Sequence, residues 1–402
     1  MRVDTAVKPK PALLATFWFG IQLVWGAILA VSLQARSVEL ARDGGIQAYA
    51  FIAALGAAVG ASVQVLIGPI SDRMVARVGS RAILYLAGAL GASVALAWFF
   101  FARTFFELVA AFLLLQVTFN VATGPYQAII PDYVPPRHAG QSSAWMAIAT
   151  FTGNSAGLLI AGFLRSAATI ATMLCFAVLL SCSVTFAHVR KLTVRSSRAA
   201  RLHIDGAFKT LLASRGFINV GFYTLMGFLF FYVRDSLRVQ DVRLHTAALF
   251  LIFTLCGVAG AAMAARPTDT YDKRLVVSVA NIVIVFSFLL LAFAQSVWTA
   301  GIAAAIAGVG YGAFFTADWS MACALLPANS MGAAMGIWNV ATAVPQIIAP
   351  VLTAPLVLHL NAVQTGLGPR GAVLVVIAEF TVGTLLLWRI PPDRLRVNVN
   401  LS

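Results

Sequence analysis

Apolar runs of about twenty residues follow one another along almost the whole of this 402-residue chain, and that succession decides the solvent it folds in. A helix rises about 1.5 Å per residue, so each run is long enough to cross the roughly 30 Å hydrocarbon core of a bilayer. Twelve spans are expected, near 11–34, 47–68, 82–102, 104–130, 142–164, 167–189, 216–234, 244–265, 275–295, 297–325, 331–358 and 371–389. With 60% hydrophobic residues, 10% charged and a mean hydropathy of +0.89, the chain carries far more apolar surface than a water-soluble core can absorb. The expected class is an all-α membrane protein. Only ten residues, with Lys8 and Lys10 among them, precede the first span, but its apolar run is about twice that of a secretory leader, so it reads as a retained helix.

The net charge of +14 raises the question of nucleic acid, and the placement of the charges answers it. With the N-terminus set in the cytoplasm, twenty of the 28 lysines and arginines fall inside and the other eight outside. This is positive-inside bias, with the basic residues meeting anionic headgroups. The expectation is a multi-pass protein of the cytoplasmic membrane, both termini inside, working as a monomer and binding no nucleic acid. Cys175, Cys182, Cys256 and Cys323 all lie within spans and read as packing residues. No cofactor or metal site is expected.

The longest connection is polar and basic, with Arg195, Arg198 and Arg201 at its centre and a pattern over 204–213 that suits a short amphipathic helix. It divides the chain into a six-helix bundle over 1–189, a cytoplasmic linker over 190–215 and a second bundle over 216–402. A shift of 192 positions brings Gly68 onto Gly260, Pro135 onto Pro327, Gly140 onto Gly332 and Ala149-Thr150 onto Ala341-Thr342. Several matches at one offset point to duplicated halves, the architecture of an alternating-access carrier with a central cavity.

Polar residues recurring on one face of a span mark a side turned from lipid toward protein or water. In span four Gln116, Asn120, Thr123 and Gln127 are spaced 4, 3 and 4. Trp18, Gln22, Trp25 and Ser32 share a face of span one, Asn219, Tyr223, Met226 and Phe230 of span seven, and Asn339, Thr342 and Gln346 of span eleven. These faces suit either interhelical hydrogen bonds or the lining of a cavity. Rings beside amides fit an uncharged polar ligand such as a sugar, and equally an amphipathic drug.

Three acids lie in or near the membrane: Asp132, Asp318 and Glu379. Insertion of an ionised carboxylate there costs about 2.5–3.5 kcal/mol, and a group that protonates when dry and releases its proton to a water-filled cavity is a natural proton carrier. Asp318 lies two turns after Tyr311, with Gly308 and Gly312 permitting close approach of another helix. The alternative for Asp318 and Glu379 is a fixed buried bond to a neighbour, and for Asp132, followed by Tyr133-Val134-Pro135-Pro136, a helix-end residue.

The segment GPISDRMVARVGSR, expected as the loop after span two, resembles the cytoplasmic signature of the major facilitator superfamily through Gly68, Asp72, Arg73, Gly79 and Arg81. Its longer form, with Ser71 and Arg77, is similar to that of the sucrose/proton symporters. GIQLVW at 20–25, GPYQAIIPD at 124–132 and GIWNVATAVPQ at 336–346 resemble further motifs of that branch and of the glycoside-pentoside-hexuronide:cation symporters. The resemblance implies twelve transmembrane helices in two pseudo-symmetric halves, a cytoplasmic gate built from Gly68, Asp72, Arg73, Arg77 and Arg81, and proton coupling at Asp132. Gln127 departs from the pattern of the sucrose branch, which carries a basic residue there; Thr123 stands where melibiose-type carriers place a sugar-binding acid and the first span lacks their acid, so sodium coupling by that route is disfavoured. Ala264 occupies the image of Asp72, so the gate is expected in one copy.

The function expected is proton-coupled symport of a sugar or glycoside, with solute held by Trp18, Gln22, Trp25, Gln116, Asn120, Thr123, Gln127, Asn219, Tyr223, Tyr311, Asn339 and Gln346. The alternative is a proton-coupled exporter of drugs or metabolites, against which the proline-free GNSAGLLIAG of span five argues. An enzyme is not expected: the chain has neither an HExxH element nor a GxGD element with a second aspartate.

Overall fold

The computed structural model of the chain describes residues 8–40, 45–192, 194, 205–325 and 331–392. Arg195, Arg198 and Arg201 of the basic linker, and Pro327 of the repeat, lie outside the described residues. No strand occurs among those described. The helices are α1 (Pro11–Ala27, continuing through a π-helical turn at Ile28–Ser32 into Leu33–Leu40), α2 (Gly45–Val78), α3 (Ala82–Phe101), α4 (Phe105–Tyr126, followed by the one-turn helix Ile129–Tyr133) and α5 (Ala139–Phe163). They continue with α6 (Ala167–Val189), α7 (Gly206–Phe231, ending in a π-helical turn at Tyr232–Ser236), α8 (Val242–Thr270), α9 (Lys273–Phe293), α10 (Val297–Leu325), α11 (Met331–Val363) and α12 (Leu367–Leu387).

Ten of these helices are long and apolar enough to cross a membrane. The apolar part of α1, Pro11–Ala27, and that of α11, Leu352–Val363, are shorter. The other two expected spans are nonetheless present as continuous helix, α1 from residue 11 to residue 40 and α11 from 331 to 363. Exposed Phe106, Phe163, Phe176, Phe293 and Trp298 form part of the apolar exterior, which a bilayer would solvate.

Helix starts follow local chemistry. Thr104, Ser166, Asp205, Asp241 and Asp272 each accept a hydrogen bond from a first-turn backbone N–H, satisfying donors that the helix itself leaves unpaired. Two boundaries differ from the sequence reading. The GPISDRMVARV stretch is not a loop: α2 stays helical to Val78 and ends where Gly79 takes a left-handed φ of 72°. The short helix suggested over 204–213 and the span expected from 216 are one helix: α7 starts at Gly206, capped by Asp205, and takes in Lys209 and Arg215.

The chain forms two compact units, Met1–His203 with Leu326–Asn339, and Ile204–Leu325 with Val340–Ser402. Within the first, α1 packs on α5 and α6, α2 on α4, and α3 on α4 and α6. Within the second, α7 packs on α12, α8 on α10, and α9 on α10 and α12. Four of these pairings correspond under a six-helix shift: α1–α6 with α7–α12, α2–α4 with α8–α10, α3–α4 with α9–α10, and α3–α6 with α9–α12.

Candidate functional site

In the second unit, α10 is pressed against α8 along a ridge of small residues. A Cβ at Gly308 would lie 2.2 Å from the carbonyl oxygen of Phe253, and one at Gly312 would lie 2.0 Å from that of Gly257. Thr316, one turn further, donates to the Gly312 and Ala261 carbonyls. Small residues four apart let helix backbones approach closely when no hydrophobic effect drives them together. This seam fixes the rotation of α10 and with it the direction of Asp318, two turns before the helix end.

Asp318 is 2% exposed and accepts a hydrogen bond from Arg215 Nη1 of α7, itself 6% exposed and more than two turns inside its helix. Arg215 Nη2 donates to Thr342 Oγ1 of α11 at 3.2 Å. Asn219, one turn beyond Arg215, donates through Nδ2 to the Ala341 carbonyl at 2.8 Å and to Thr342 Oγ1 at 3.4 Å. α7 is held in turn on α12, where Ser214 Oγ donates to the Gly383 carbonyl at 2.6 Å. Tyr223 and Tyr311 lie within electrostatic reach of Arg215, and Tyr311 stacks on Phe222 with ring centroids 4.6 Å apart. The site thus gathers a guanidinium, a carboxylate, a hydroxyl, an amide and two phenols inside helices of membrane-spanning length.

The first unit carries a neutral counterpart. Trp18 Nε1 donates to Thr150 Oγ1 at 2.7 Å, and the Trp18 backbone N–H donates to Tyr126 Oη at 3.2 Å. Tyr126 Oη donates to the Leu14 carbonyl, and its ring stacks on Trp18. The positions correspond: 318 − 126 and 342 − 150 are both 192. Trp18 of α1 therefore meets the images of the two residues that Arg215 of α7 meets.

A second charged cluster joins α2, α3 and the turn after α4. Arg81 Nε donates to Asp132 Oδ2 at 2.7 Å, Nη2 lies 2.8 Å from Asp72 Oδ1, and Nη1 donates to Ser71 Oγ. Burial pulls the Arg81 guanidinium down, but Asp132 and Asp72 outweigh it and hold its pKa above the ordinary arginine value. Asp132 stands past the helix break at Gln127–Ala128, and the one-turn helix Ile129–Tyr133 aims it at the start of α3. Ser71 donates to the Gly68 carbonyl, whereas Arg73 and Arg77 are exposed.

The remaining expected residues are dispersed. Gln116 and Asn120 face α2, where Asn120 Oδ1 accepts from Gln64 Nε2 and Gln116 Oε1 would meet a Cβ at Gly60. Asn120 Nδ2 also donates to the Gln116 backbone carbonyl at 2.7 Å, so this part of the stripe is satisfied within α4 and across to α2. Thr123 is buried, its hydroxyl without a hydrogen-bond partner among the described residues. Gln127 accepts from Asn339, which belongs to the stretch of α11 assigned to the first unit. Gln22 accepts from Asn154, Trp25 packs edge-on against Phe119, and Gln346 is exposed. Glu379 turns toward α7, where a Cβ at Gly221 would lie 3.3 Å from Oε2, an oxygen with no hydrogen-bond partner among the described residues.

Arg215 was absent from the expected site because it counted as a charge of the basic linker. The signal was present: Arg215, Asn219 and Tyr223 are four apart, so extending the span-seven stripe by one turn reaches it.

The sequence of residues 12–350, and again of 216–399, matches the description Major Facilitator Superfamily. The chain belongs to this superfamily. The second match, beginning at the second half, agrees with the internal repeat. Among solved structures, the human organic anion transporter MFSD10 (TETRAN) superposes with a TM-score of 0.73 at 15% identity, covering 94% of this chain and 100% of the other. A bacterial homologue of the iron transporter ferroportin, in an outward-facing state, superposes at 0.71 with 13% identity, covering 97% and 99%. No curated protein matches the sequence. The chain is thus a major facilitator transporter with the twelve-helix fold of two pseudo-symmetric halves.

Proposed function

We propose that this transporter moves a small polar solute, a sugar or glycoside by its motif resemblance, across the cytoplasmic membrane by proton-coupled symport with alternating access. The observation that carries the reading is the Arg215–Asp318 pair, an acid and a base buried inside helices of spanning length and linked through Thr342 to Asn219. Ionisable residues at such depth are costly and mark solute or proton pathways. Asp318 is the principal proton-loading acid, and Glu379, with an unbonded oxygen, is the second candidate. Asp132 serves the cytoplasmic gate rather than the solute path, since Arg81 holds it beside Asp72. Both termini lie in the cytoplasm, where the basic linker meets anionic headgroups.

The test is the whole chain reconstituted in liposomes, with labelled sugars and glycosides offered under an imposed proton gradient. Accumulation that grows with the gradient and collapses with a protonophore is expected. Uptake indifferent to the gradient contradicts symport, and gradient-driven efflux of cationic dyes points to an exporter instead.

A further inference from the structure

We infer that Arg215 and Asp318 form a proton-for-carboxylate exchange site, and that the solute admitted is a hydroxylated organic monoanion such as a sugar acid. The inference rests on the carrier reading above and names its solute class.

The fold supplies its own control. In the first unit, Tyr126 and Thr150, the images of Asp318 and Thr342, are bonded by the neutral Trp18 of the first helix, while the image of Arg215 itself is Leu23. Linking the first helix of a half to its partners therefore requires no charge. A buried ion pair gives a fold little net stability over apolar residues of similar size, because both ions lose their hydration. The second unit nevertheless makes the corresponding link with a guanidinium and a carboxylate, and the use left for them is chemical.

A guanidinium offers a planar fork of N–H donors that matches a carboxylate, and Asp318 occupies part of that fork. The other groups present fit the rest of a hydroxylated solute. Thr342 and Asn219 offer hydroxyl and amide hydrogen bonds, and Tyr223 and Tyr311 offer rings with polar tips.

Among the described residues, Arg215 from α7 is the charged residue in contact with Asp318, and Tyr311 of its own helix stands two turns away. α8 presents the apolar stretch Gly257–Ala261 to this part of α10. Lys273 of α9 sits by Cys323, near the end of α10.

The step balances. Asp318 takes up one proton and becomes a neutral acid, breaking its ion pair, and the solute's carboxylate forms a new pair with Arg215. The site has no net charge before loading and none after it. Proton alone would leave the guanidinium unpaired, and anion alone would leave two carboxylates facing one cation. Both partial states place an uncompensated charge in a low-dielectric interior, so the two ligands load together. Transport is therefore electroneutral and driven by the pH difference alone.

The experiment uses the reconstituted chain with labelled gluconate, glucuronate, glucose and sucrose. A pH difference without voltage, and a potassium diffusion potential without a pH difference, are imposed separately. The expected result is accumulation of gluconate or glucuronate by about tenfold per pH unit, unchanged by voltage. Neutral sugars driven by voltage, by up to about 50-fold per 100 mV, would overturn the inference and leave the carrier reading standing. Failure of all four probes to move under either gradient would overturn both.

Asp318→Asn should retain anion exchange across equal concentrations but lose pH-driven accumulation. Arg215→Gln should lose both, with partial recovery in Arg215→Lys. Should the variants fail to fold, thermal unfolding of the purified wild type decides. Gluconate or glucuronate should raise its Tm more at pH 5.5 than at pH 8, and neither doing so at either pH would count against the inference.

Discussion

Neither Arg215 nor Asp318 would be tolerated alone at its depth, and each is made acceptable by the other. Removing one partner strands the remaining charge. Arg215→Leu or Asp318→Leu alone should therefore lower stability by about 3–5 kcal/mol, whereas the double replacement should recover most of that loss. Thermal unfolding of the three purified variants measures this, and a double variant no better than the singles would show that the pair is not an isolated unit. The same physics explains what could be read from the residues. Asp318 stood out because a carboxylate interrupts an apolar run. Arg215 did not, because a basic residue near a predicted span end is ordinary positive-inside chemistry, and its link to the stripe shows once the helix is seen to run unbroken from its cap at Asp205. Asp132 was visible as an acid, but its partner Arg81 lies 51 positions earlier and is brought to it by packing of α3 on α4.

At the scale of elements, the seam between α8 and α10 sets the geometry of the site. Gly308 and Gly312 were legible as a surface for close approach, but the helix that approaches is a tertiary fact. Replacing Gly312 by Ala places a methyl group 2.0 Å from the Gly257 carbonyl and must push the helices apart. A Cβ at Gly216, beside Arg215 on α7, meets nothing within 4 Å. Gly312→Ala should lower Tm and transport together, while Gly216→Ala should leave transport intact and stabilise by up to about 1 kcal/mol through helix propensity. Equal effects of the two substitutions would deny the seam its role. The signature segment teaches a related point. Its polar, glycine-bearing sequence suggested a loop, yet an α-helix tolerates every residue from Ser71 to Val78 and ends only at Gly79, where a left-handed φ is needed.

At the scale of the molecule, hydropathy period and repeated motifs were enough for the superfamily and the twelve-helix plan, because a bilayer leaves a long apolar chain few other ways to satisfy its backbone. The solute is written in far fewer residues, and structural neighbours at 13–15% identity share the fold alone. What distinguishes this one place in the two units is charge. They repeat several helix pairings, yet Tyr126 and Thr150 are bonded by Trp18, whereas their images Asp318 and Thr342 are bonded by Arg215. The claim that follows is that Asp318 carries the proton. It is tested most directly by recording proton movement itself, with a pH-sensitive dye inside weakly buffered liposomes as gluconate or glucuronate is added outside. Wild type should acidify the interior on addition, and Asp318→Asn should exchange the anion with no pH change. Solute-dependent acidification that persists in Asp318→Asn would contradict the account.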